Sequence, residues 1–169
     1  MTERQNKFLW NIHTALSGGK KPGSEEDRQF LALALFGEVG ELANFLKKEW
    51  RGDDVPDLRE KVTDELGDCY AYLRLLAIAL NQQDALDRSS GIEPTTKRRC
   101  ALRLCGRVGE LAGLIEEDPA SGSNVTWLLM TEIRDLLTML ARAHVLELDD
   151  IMERVTLPKI RARWGDKIS

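Results

Sequence analysis

Apolar residues recur every three or four positions along most of the chain, which is the spacing that gives a helix one buried face. In residues 3–16 this face carries Phe8, Leu9, Ile12 and Leu16. The pattern breaks at SGGKKPGS, where glycines and a proline end the helix. Similar periodic segments follow, so we predict an all-α protein in the form of a helix bundle.

Capping residues predict where the longer helices begin. Ser24 caps a helix that runs to about Trp50, and Asp57 with Glu60 forms a capping box for a helix that ends near Asn81. The later predicted starts are Pro94 in a first turn, Asn124 as a cap and Pro158 as the kink or restart of a last helix.

Two pairs of acids interrupt the apolar faces of the second and third helices. Glu38 and Glu41 lie three residues apart in GEVGEL, and Glu65 and Asp68 have the same spacing in ELGD. Residues three apart point to one side of a helix, so each helix presents two carboxylates together. Four facing carboxylates repel one another unless a cation compensates them. The sequence therefore predicts a site for a hard divalent cation, Mg²⁺ or Mn²⁺, with oxygen ligands.

The same motifs resemble those of the all-α nucleoside triphosphate pyrophosphatases, which include the MazG-like enzymes and the dimeric dUTPases. The resemblance consists of E-x-x-E, a spacer of 23 residues, E-x-x-D and the glycines that flank both motifs, and it covers most of residues 24–81. It implies a metal-dependent nucleoside triphosphate pyrophosphohydrolase that acts on the nucleotide pool. The implied reaction is attack of water at the α-phosphorus, which gives a nucleoside monophosphate and pyrophosphate.

The resemblance also implies roles for the four acids. Glu41, Glu65 and Asp68 are the first choice of metal ligands. Glu38 is either a fourth ligand or the catalytic group that orients or deprotonates the attacking water, and both roles stay open.

Four further side chains are candidate substrate contacts. Lys48 lies seven residues after Glu41, about two turns along nearly the same face, and could reach a triphosphate. Tyr72 shares a face with the second acidic pair and could donate a hydrogen bond to substrate, as a tyrosine does in some relatives. Lys159 and Arg163 resemble the basic pair that closes many MazG-like chains. The alternatives are compensation of a helix dipole for Lys48, plain burial for Tyr72 and surface charge for the basic pair.

Base recognition has no motif of its own. It is expected from the walls of the helical cleft, with residues of the second half as candidates. Trp10 and His13 on the first helix are expected to pack in the core or at its rim, with stacking on a base as the alternative.

The second half of the chain repeats the first motif. Gly37–Ala43 is GEVGELA and Gly106–Ala112 is GRVGELA, with six identities in seven positions at an offset of 69. A second E-x-x-D follows at Glu132 and Asp135. We therefore predict two tandem, pseudo-symmetric MazG-like helix-pair repeats, equivalent to a fused dimer.

The two repeats, residues 1–92 and 93–169, are expected to pack as one structural domain. An intact metal site is expected only in the first repeat. Arg107 stands in the second repeat where Glu38 stands in the first. Three carboxylates and one guanidinium sum to −2, whereas four carboxylates sum to −4, so divalent binding is weakened. Arg107 either neutralises the remaining acids or reaches a bound phosphate across the pseudo-dimer.

Composition limits the expected partners and location of the protein. The 169 residues carry a net charge of −4, which gives no general attraction to nucleic acid or to anionic lipid. No apolar run approaches the roughly 18 residues of a membrane span, and the polar start is no signal peptide. The three cysteines form no C-x-x-C pair. We expect a cytoplasmic protein without nucleic-acid or membrane partners and, from the resemblance, a homodimer of two-repeat chains.

Two alternatives to a pyrophosphohydrolase stay open. A di-iron carboxylate bundle also uses glutamates on facing helices, but it usually needs E-x-x-H, and no histidine has that spacing. A non-catalytic helical module for nucleotide sensing or association would keep the bundle without turnover, and the altered second motif shows such a loss.

Overall fold

The structure is a computed structural model and describes residues 1–18, 20–119 and 122–168. Every regular element in these residues is helical, which confirms the predicted all-α class. The helices are α1 (Glu3–Leu16), α2 (Glu25–Arg51), α3 (Leu58–Ala79), α4 (Lys97–Glu117), α5 (Asn124–Ala143), α6 (Leu148–Ile151) and α7 (Leu157–Trp164). Short 3₁₀ turns lie at Gln83–Asp87 and Gly165–Ile168, and a π-helical stretch, Met152–Thr156, joins α6 to α7.

The bundle is built from two packed helix pairs. α2 packs on α3, α4 packs on α5, and α2 also packs along α4, so the two pairs share one core. The core is rich in leucine because each of these helices carries a leucine stripe, and burying one such side chain stabilises a fold by about 1.5–3 kcal/mol. The fully buried leucines include Leu31, Leu35, Leu42, Leu66, Leu73, Leu76, Leu104 and Leu111.

Some predicted helix starts are confirmed and others are wrong. The Ser24 hydroxyl accepts a hydrogen bond from the N–H of Asp27, as predicted. Asp57 forms no capping box, because its backbone is left-handed, with a φ of 57°, and its side chain makes no capping hydrogen bond. The caps of the later helices are Thr96 for α4, in place of Pro94, and Ser123 for α5, in place of Asn124.

The tail of the chain packs closely against α3 at Gly67. A Cβ at this position would overlap the Oγ1 of Thr156 in the π-helical stretch. The missing side chain of Gly67 therefore lets the tail pack directly on α3, between Glu65 and Asp68 in the sequence. As a result, Lys159 at the start of α7 reaches the acids of α3.

The helix pairing agrees with two helix-pair units, because each pair consists of helices that are consecutive in the chain. Their relation as pseudo-symmetric repeats stays a prediction. The surroundings of the two pairs differ, since α1 and the π-helical stretch both pack on α3.

Within the described residues, α2 is long and apolar enough to cross a membrane if only length and composition are considered. Its leucine stripe is buried in the bundle, and a core helix of a soluble protein passes the same test. One such helix is therefore weak support for a membrane span.

Candidate metal centre

Three carboxylates from two helices come together beside the tail. One oxygen each of Glu38 on α2, and of Glu65 and Asp68 on α3, lies within 4.8 Å of the other two. All three side chains are half-buried, because the apolar faces of α2 and α3 press against each other on either side of them. This geometry gives three oxygen donors converging on one point.

Glu41 lies outside this close set. It is exposed one turn further along α2, whereas Glu38 is half-buried toward α3. The close set therefore contains Glu38, for which the sequence left two roles open. It does not contain Glu41, which was a first-choice metal ligand. The charge of Glu41 still acts on the cluster, since it contributes to a raised pKa of Glu65.

Burial and crowding make Glu38 and Glu65 difficult to ionise. Burial, followed by the charges of Glu41, Glu38 and Asp68, raises the pKa of Glu65 to about 7. Burial, followed by the charges of Asp68 and Glu41, also raises the pKa of Glu38. A cation placed among the carboxylates would reverse both effects. Their hard oxygens and summed negative charge fit Mg²⁺ or Mn²⁺.

Lys159 supplies one positive charge at the edge of the cluster. Its Nζ donates a hydrogen bond to Oδ2 of Asp68 at 2.8 Å and lies 3.8 Å from Oδ1 of Asp64. Burial alone would lower the pKa of Lys159, but the hydrogen bond to Asp68 and the neighbouring carboxylates raise it on balance. Lys159 therefore stays charged beside the acids.

A cavity of about 350 Å³ opens beside the cluster, within the range of roughly 300–1,000 Å³ found for ligand pockets. Glu38, Asp68 and Lys159 form part of its wall, and Arg163 also lines it. The rest of the wall is mostly apolar or aromatic and includes Leu9, Ile12, Phe30, Tyr72, Ile160 and Trp164. One end of the cavity is therefore charged, and the rest of its wall is mostly apolar and aromatic.

Three of the four predicted substrate contacts line this cavity: Tyr72, Lys159 and Arg163. The fourth, Lys48, places its ammonium over the ring of Phe45, 5.2 Å from the ring centroid, and is not part of the cavity wall. Burial raises the pKa of Tyr72, and the charges of Glu38 and Asp68 add to this effect, so its hydroxyl stays protonated as a donor.

The sequence interpretation missed a buried hydrogen bond between a histidine of this wall and a carboxylate. Nε2 of His13 on α1 lies 2.8 Å from Oδ1 of Asp27 on α2, and both side chains are buried. His13 is buried, as expected for a core residue, and it also lines the cavity. The sequence did contain one sign of this pair, because Asp27 is an acid at a position on the buried face of α2.

In the second helix pair, the acids are paired with an arginine. Arg107 donates a hydrogen bond to Oε2 of Glu110 at 2.7 Å, and its Nε lies 2.5 Å from Oε2 of Glu132. The hydrogen bond to Glu110 is the main reason that the pKa of Arg107 is raised. The guanidinium therefore sits between the two glutamates that correspond in sequence to Glu41 and Glu65.

Asp135, which corresponds in sequence to Asp68, is held by the linker before α4. Its Oδ2 accepts hydrogen bonds from the backbone N–H and the hydroxyl of Ser90, both at 2.7 Å, and from the hydroxyl of Ser89 at 3.2 Å. Its Oδ1 lies 3.1 Å from Arg134. These partners keep Asp135 occupied independently of Arg107.

Comparison of the chain with models of protein families, with curated proteins and with solved structures finds no match.

Proposed function

We propose that the chain is a cytoplasmic, metal-dependent nucleoside triphosphate pyrophosphohydrolase, which converts an NTP or dNTP and water to the monophosphate and pyrophosphate. The main support for this proposal is that acidic and basic side chains line an otherwise largely apolar and aromatic cavity. Glu38, Asp68, Lys159 and Arg163 share its wall with Tyr72. The motif resemblance agrees with it. The thiols of the three cysteines are free, which suits a reducing compartment.

Glu38, Glu65 and Asp68 would hold Mg²⁺ or Mn²⁺. The metal, when bound, supplies charge neutralisation at the phosphate oxygens and lowers the pKa of a bound water. Glu41 is exposed beside the cluster and is the acid that remains to complete the ligand set or to accept the proton of the attacking water.

Lys159 and Arg163 would bind the phosphate chain. Lys159 already lies at the edge of the acids through its hydrogen bond to Asp68, and Arg163 follows four residues later on α7. Charge-assisted hydrogen bonds from both would hold the phosphates against the metal ligands. The apolar part of the wall would exclude water from the base and sugar.

The alternatives have less support. Among the described residues, the group of close metal-ligating side chains contains no histidine, which disfavours a di-iron carboxylate centre. A non-catalytic nucleotide-sensing module would bind nucleotide in the same cavity, and the motif resemblance to hydrolases is what favours turnover over it.

The direct test is a panel of NTPs and dNTPs incubated with Mg²⁺ or Mn²⁺, with products separated as monophosphate plus pyrophosphate or as diphosphate plus phosphate. We expect monophosphate and pyrophosphate, no product in EDTA, and about a thousandfold lower kcat/KM for Asp68→Asn. Binding of nucleotide without turnover under every metal condition would contradict the proposed activity and support the sensing module. Iron-dependent oxidation chemistry would support the di-iron alternative.

We also propose a homodimer. Leu33 on α2 and Leu102 on α4 are 69% and 66% exposed, and they are related by the repeat offset, 102 minus 33. Phe36, three residues after Leu33 on α2, adds a further half-exposed ring. A face that two copies share symmetrically is the commonest way to cover such apolar groups. Light scattering should give twice the chain mass, and the double variant Leu33→Lys, Leu102→Lys should be monomeric; a monomeric wild type would rule the dimer out.

A further inference from the structure

The buried pair of His13 and Asp27 has no role in the chemistry at the acids. Asp27 is fully buried, and each of its oxygens has a partner: Oδ1 faces Nε2 of His13 at 2.8 Å, and Oδ2 accepts from the N–H of Gly23 at 2.7 Å. Burying a carboxylate is costly unless it is paired in this way. The arrangement therefore fixes the position and the hydrogen-bonding state of the imidazole.

The partners of His13 determine which nitrogen carries its hydrogen. A carboxylate offers only lone pairs, so the nitrogen that faces Asp27, Nε2, is the protonated one. In the neutral ring, Nδ1 is then an acceptor, and it makes no hydrogen bond to any residue in the described part of the chain. The rings of Phe30 and Trp10, with centroids 6.3 and 5.5 Å away, hold the imidazole plane.

The position of His13 relates this acceptor to the substrate. His13 lines the same cavity as Glu38, Asp68 and Lys159, and its neighbours on α1 in that wall are Leu9, Ile12 and Leu16. If the phosphates lie at the acids and Lys159, the base lies against this apolar wall. An acceptor in a mostly apolar wall distinguishes bases by the donor that they present there.

We propose that His13, held by Asp27, selects nucleotides whose base presents an amino group, such as cytosine or adenine, over the matching oxo bases, uracil and hypoxanthine. This rests on the proposed function, because it takes the phosphates to lie at the candidate metal centre. An amino group donates a hydrogen bond to the lone pair of Nδ1, whereas an oxo group would place two lone pairs face to face. His13 is the specificity-determining residue, and Asp27 is a positioning residue.

The first experiment compares matched bases. Binding of CMP and UMP, and of AMP and IMP, is measured by calorimetry in Mg²⁺, and turnover is measured with the corresponding triphosphates. Wild type should favour the amino base about tenfold in both pairs, the effect of one neutral hydrogen bond in a dry site. His13→Phe, which keeps a ring but removes the acceptor, should bring this ratio close to one. A wild-type ratio near one, or a preference that survives in His13→Phe, would overturn the assignment.

The matched control is the other histidine. His144 is half-buried, and its Nε2 lies 3.3 Å from Oε2 of Glu49, so it too is paired with a carboxylate. Unlike His13, it does not line the cavity. His144→Phe should leave the ratio of amino to oxo base unchanged. An equal loss of the ratio in His144→Phe would show that base preference follows general stability, and the proposal would fail.

Asp27→Asn is the sharper variant, and it is close in shape to the wild type. The amide oxygen can still accept from Gly23, and the amide NH₂ then donates to Nε2 of His13, which moves the ring hydrogen to Nδ1. Nδ1 becomes a donor, so the preference should invert toward uracil and hypoxanthine. An unchanged amino preference in folded Asp27→Asn, checked by circular dichroism, would overturn the proposal.

Binding of monophosphates separates this inference from the proposed activity. If no triphosphate is hydrolysed but CMP and UMP binding depends on His13 as described, the hydrolase is wrong and the selection of the base stands. If hydrolysis occurs with a base preference that is independent of His13, the selection is wrong and the hydrolase stands.

Discussion

The two helix pairs carry corresponding acids and use them in opposite ways. In α2 and α3, three carboxylates crowd together, and the pKa of Glu65 is raised to about 7 by burial and by its acidic neighbours. In α4 and α5, Arg107 lies between Glu110 and Glu132 and forms an ion pair with each. A single change from acid to arginine thus turns repelling carboxylates into an ion-pair network that needs no metal.

The comparison also shows that the second pair differs at more than one position. Asp135 accepts its hydrogen bonds from Ser89 and Ser90, while the corresponding Asp68 accepts from Lys159 of the tail. Because the tail packs on α3 at Gly67, only the first pair has basic residues of α7 beside its acids. The charge at the acids and the packing of the tail both favour the first pair as the proposed metal site.

The largest difference between the pairs is expected in catalysis. Asp68→Asn removes a proposed metal ligand and should lower kcat/KM about a thousandfold, which corresponds to roughly 4 kcal/mol of transition-state stabilisation. The matched variant Asp135→Asn should leave turnover per folded molecule unchanged. Steady-state pyrophosphate release measures both, and equal losses in the two variants would refute the functional asymmetry.

Reversing the charge at Arg107 should affect stability strongly without creating a second metal site. Arg107→Glu restores four acids in α4 and α5, but it converts two ion pairs into repulsions, and we expect a loss of about 2–3 kcal/mol in the free energy of unfolding. Asp135 stays bound to Ser89 and Ser90, so the ligand set stays incomplete. Titration with Mn²⁺ should give the same stoichiometry as wild type. One extra equivalent of similar affinity would show that Arg107 alone inactivates the second pair.

Removing Arg107 without reversing its charge tests its two proposed roles. Arg107→Ala leaves Glu110 and Glu132 without their partner, which should cost about 1 kcal/mol, since these are partly exposed pairs. Turnover per folded molecule should stay at the wild-type level, because the guanidinium already has both glutamates as partners. A stable variant with a strongly raised KM would instead indicate that Arg107 reaches a substrate phosphate.

The all-α fold was predictable because its signal is local. The leucine stripes at helical spacing give both the helices and the faces that they bury, and Leu31, Leu35 and Leu42 are fully buried on α2 as the spacing requires. Helix starts were predicted less well, since Asp57 has the residue type of a cap but a left-handed backbone that places its side chain away from the helix N–H groups.

The acids of the site were predictable as pairs, while their final partners were not. The i,i+3 spacing correctly put Glu65 and Asp68 on one face, but whether Glu38 or Glu41 completes the set depends on how α2 is rotated against α3. The bond of Lys159 to Asp68 depends on the tail packing at Gly67, and the pairing of His13 with Asp27 joins two helices across a loop. Such contacts are set by packing between elements, which a single sequence does not encode as a pattern.

The smallest effect that separates the two pairs is the dependence of stability on pH. The pKa of Glu65 is about 7 in the folded chain and 4.5 as an ordinary carboxyl. Between these values the folded state binds more protons than the unfolded state, so the free energy of unfolding falls as pH rises from 4.5 through 7. The full difference corresponds to roughly 3 kcal/mol, and screening of a half-exposed carboxylate reduces it to on the order of 1 kcal/mol.

Melting temperatures measured in EDTA at pH 5.5 and pH 8 should show this loss as a decrease of about 2–4 °C at the higher pH. The difference between wild type and Glu65→Gln isolates the contribution of this residue from other titrating groups: the variant should be the more stable of the two at pH 8 and no more stable at pH 5.5. Mg²⁺ should raise the wild-type melting temperature mainly at pH 8, where the carboxylates are ionised.

The corresponding change in the second pair, Glu132→Gln, breaks an ion pair with Arg107 and should destabilise the chain at pH 8. If Glu65→Gln and Glu132→Gln shift the melting temperature in the same direction at pH 8, the acids of the two pairs are in equivalent environments, and the contrast between them is wrong.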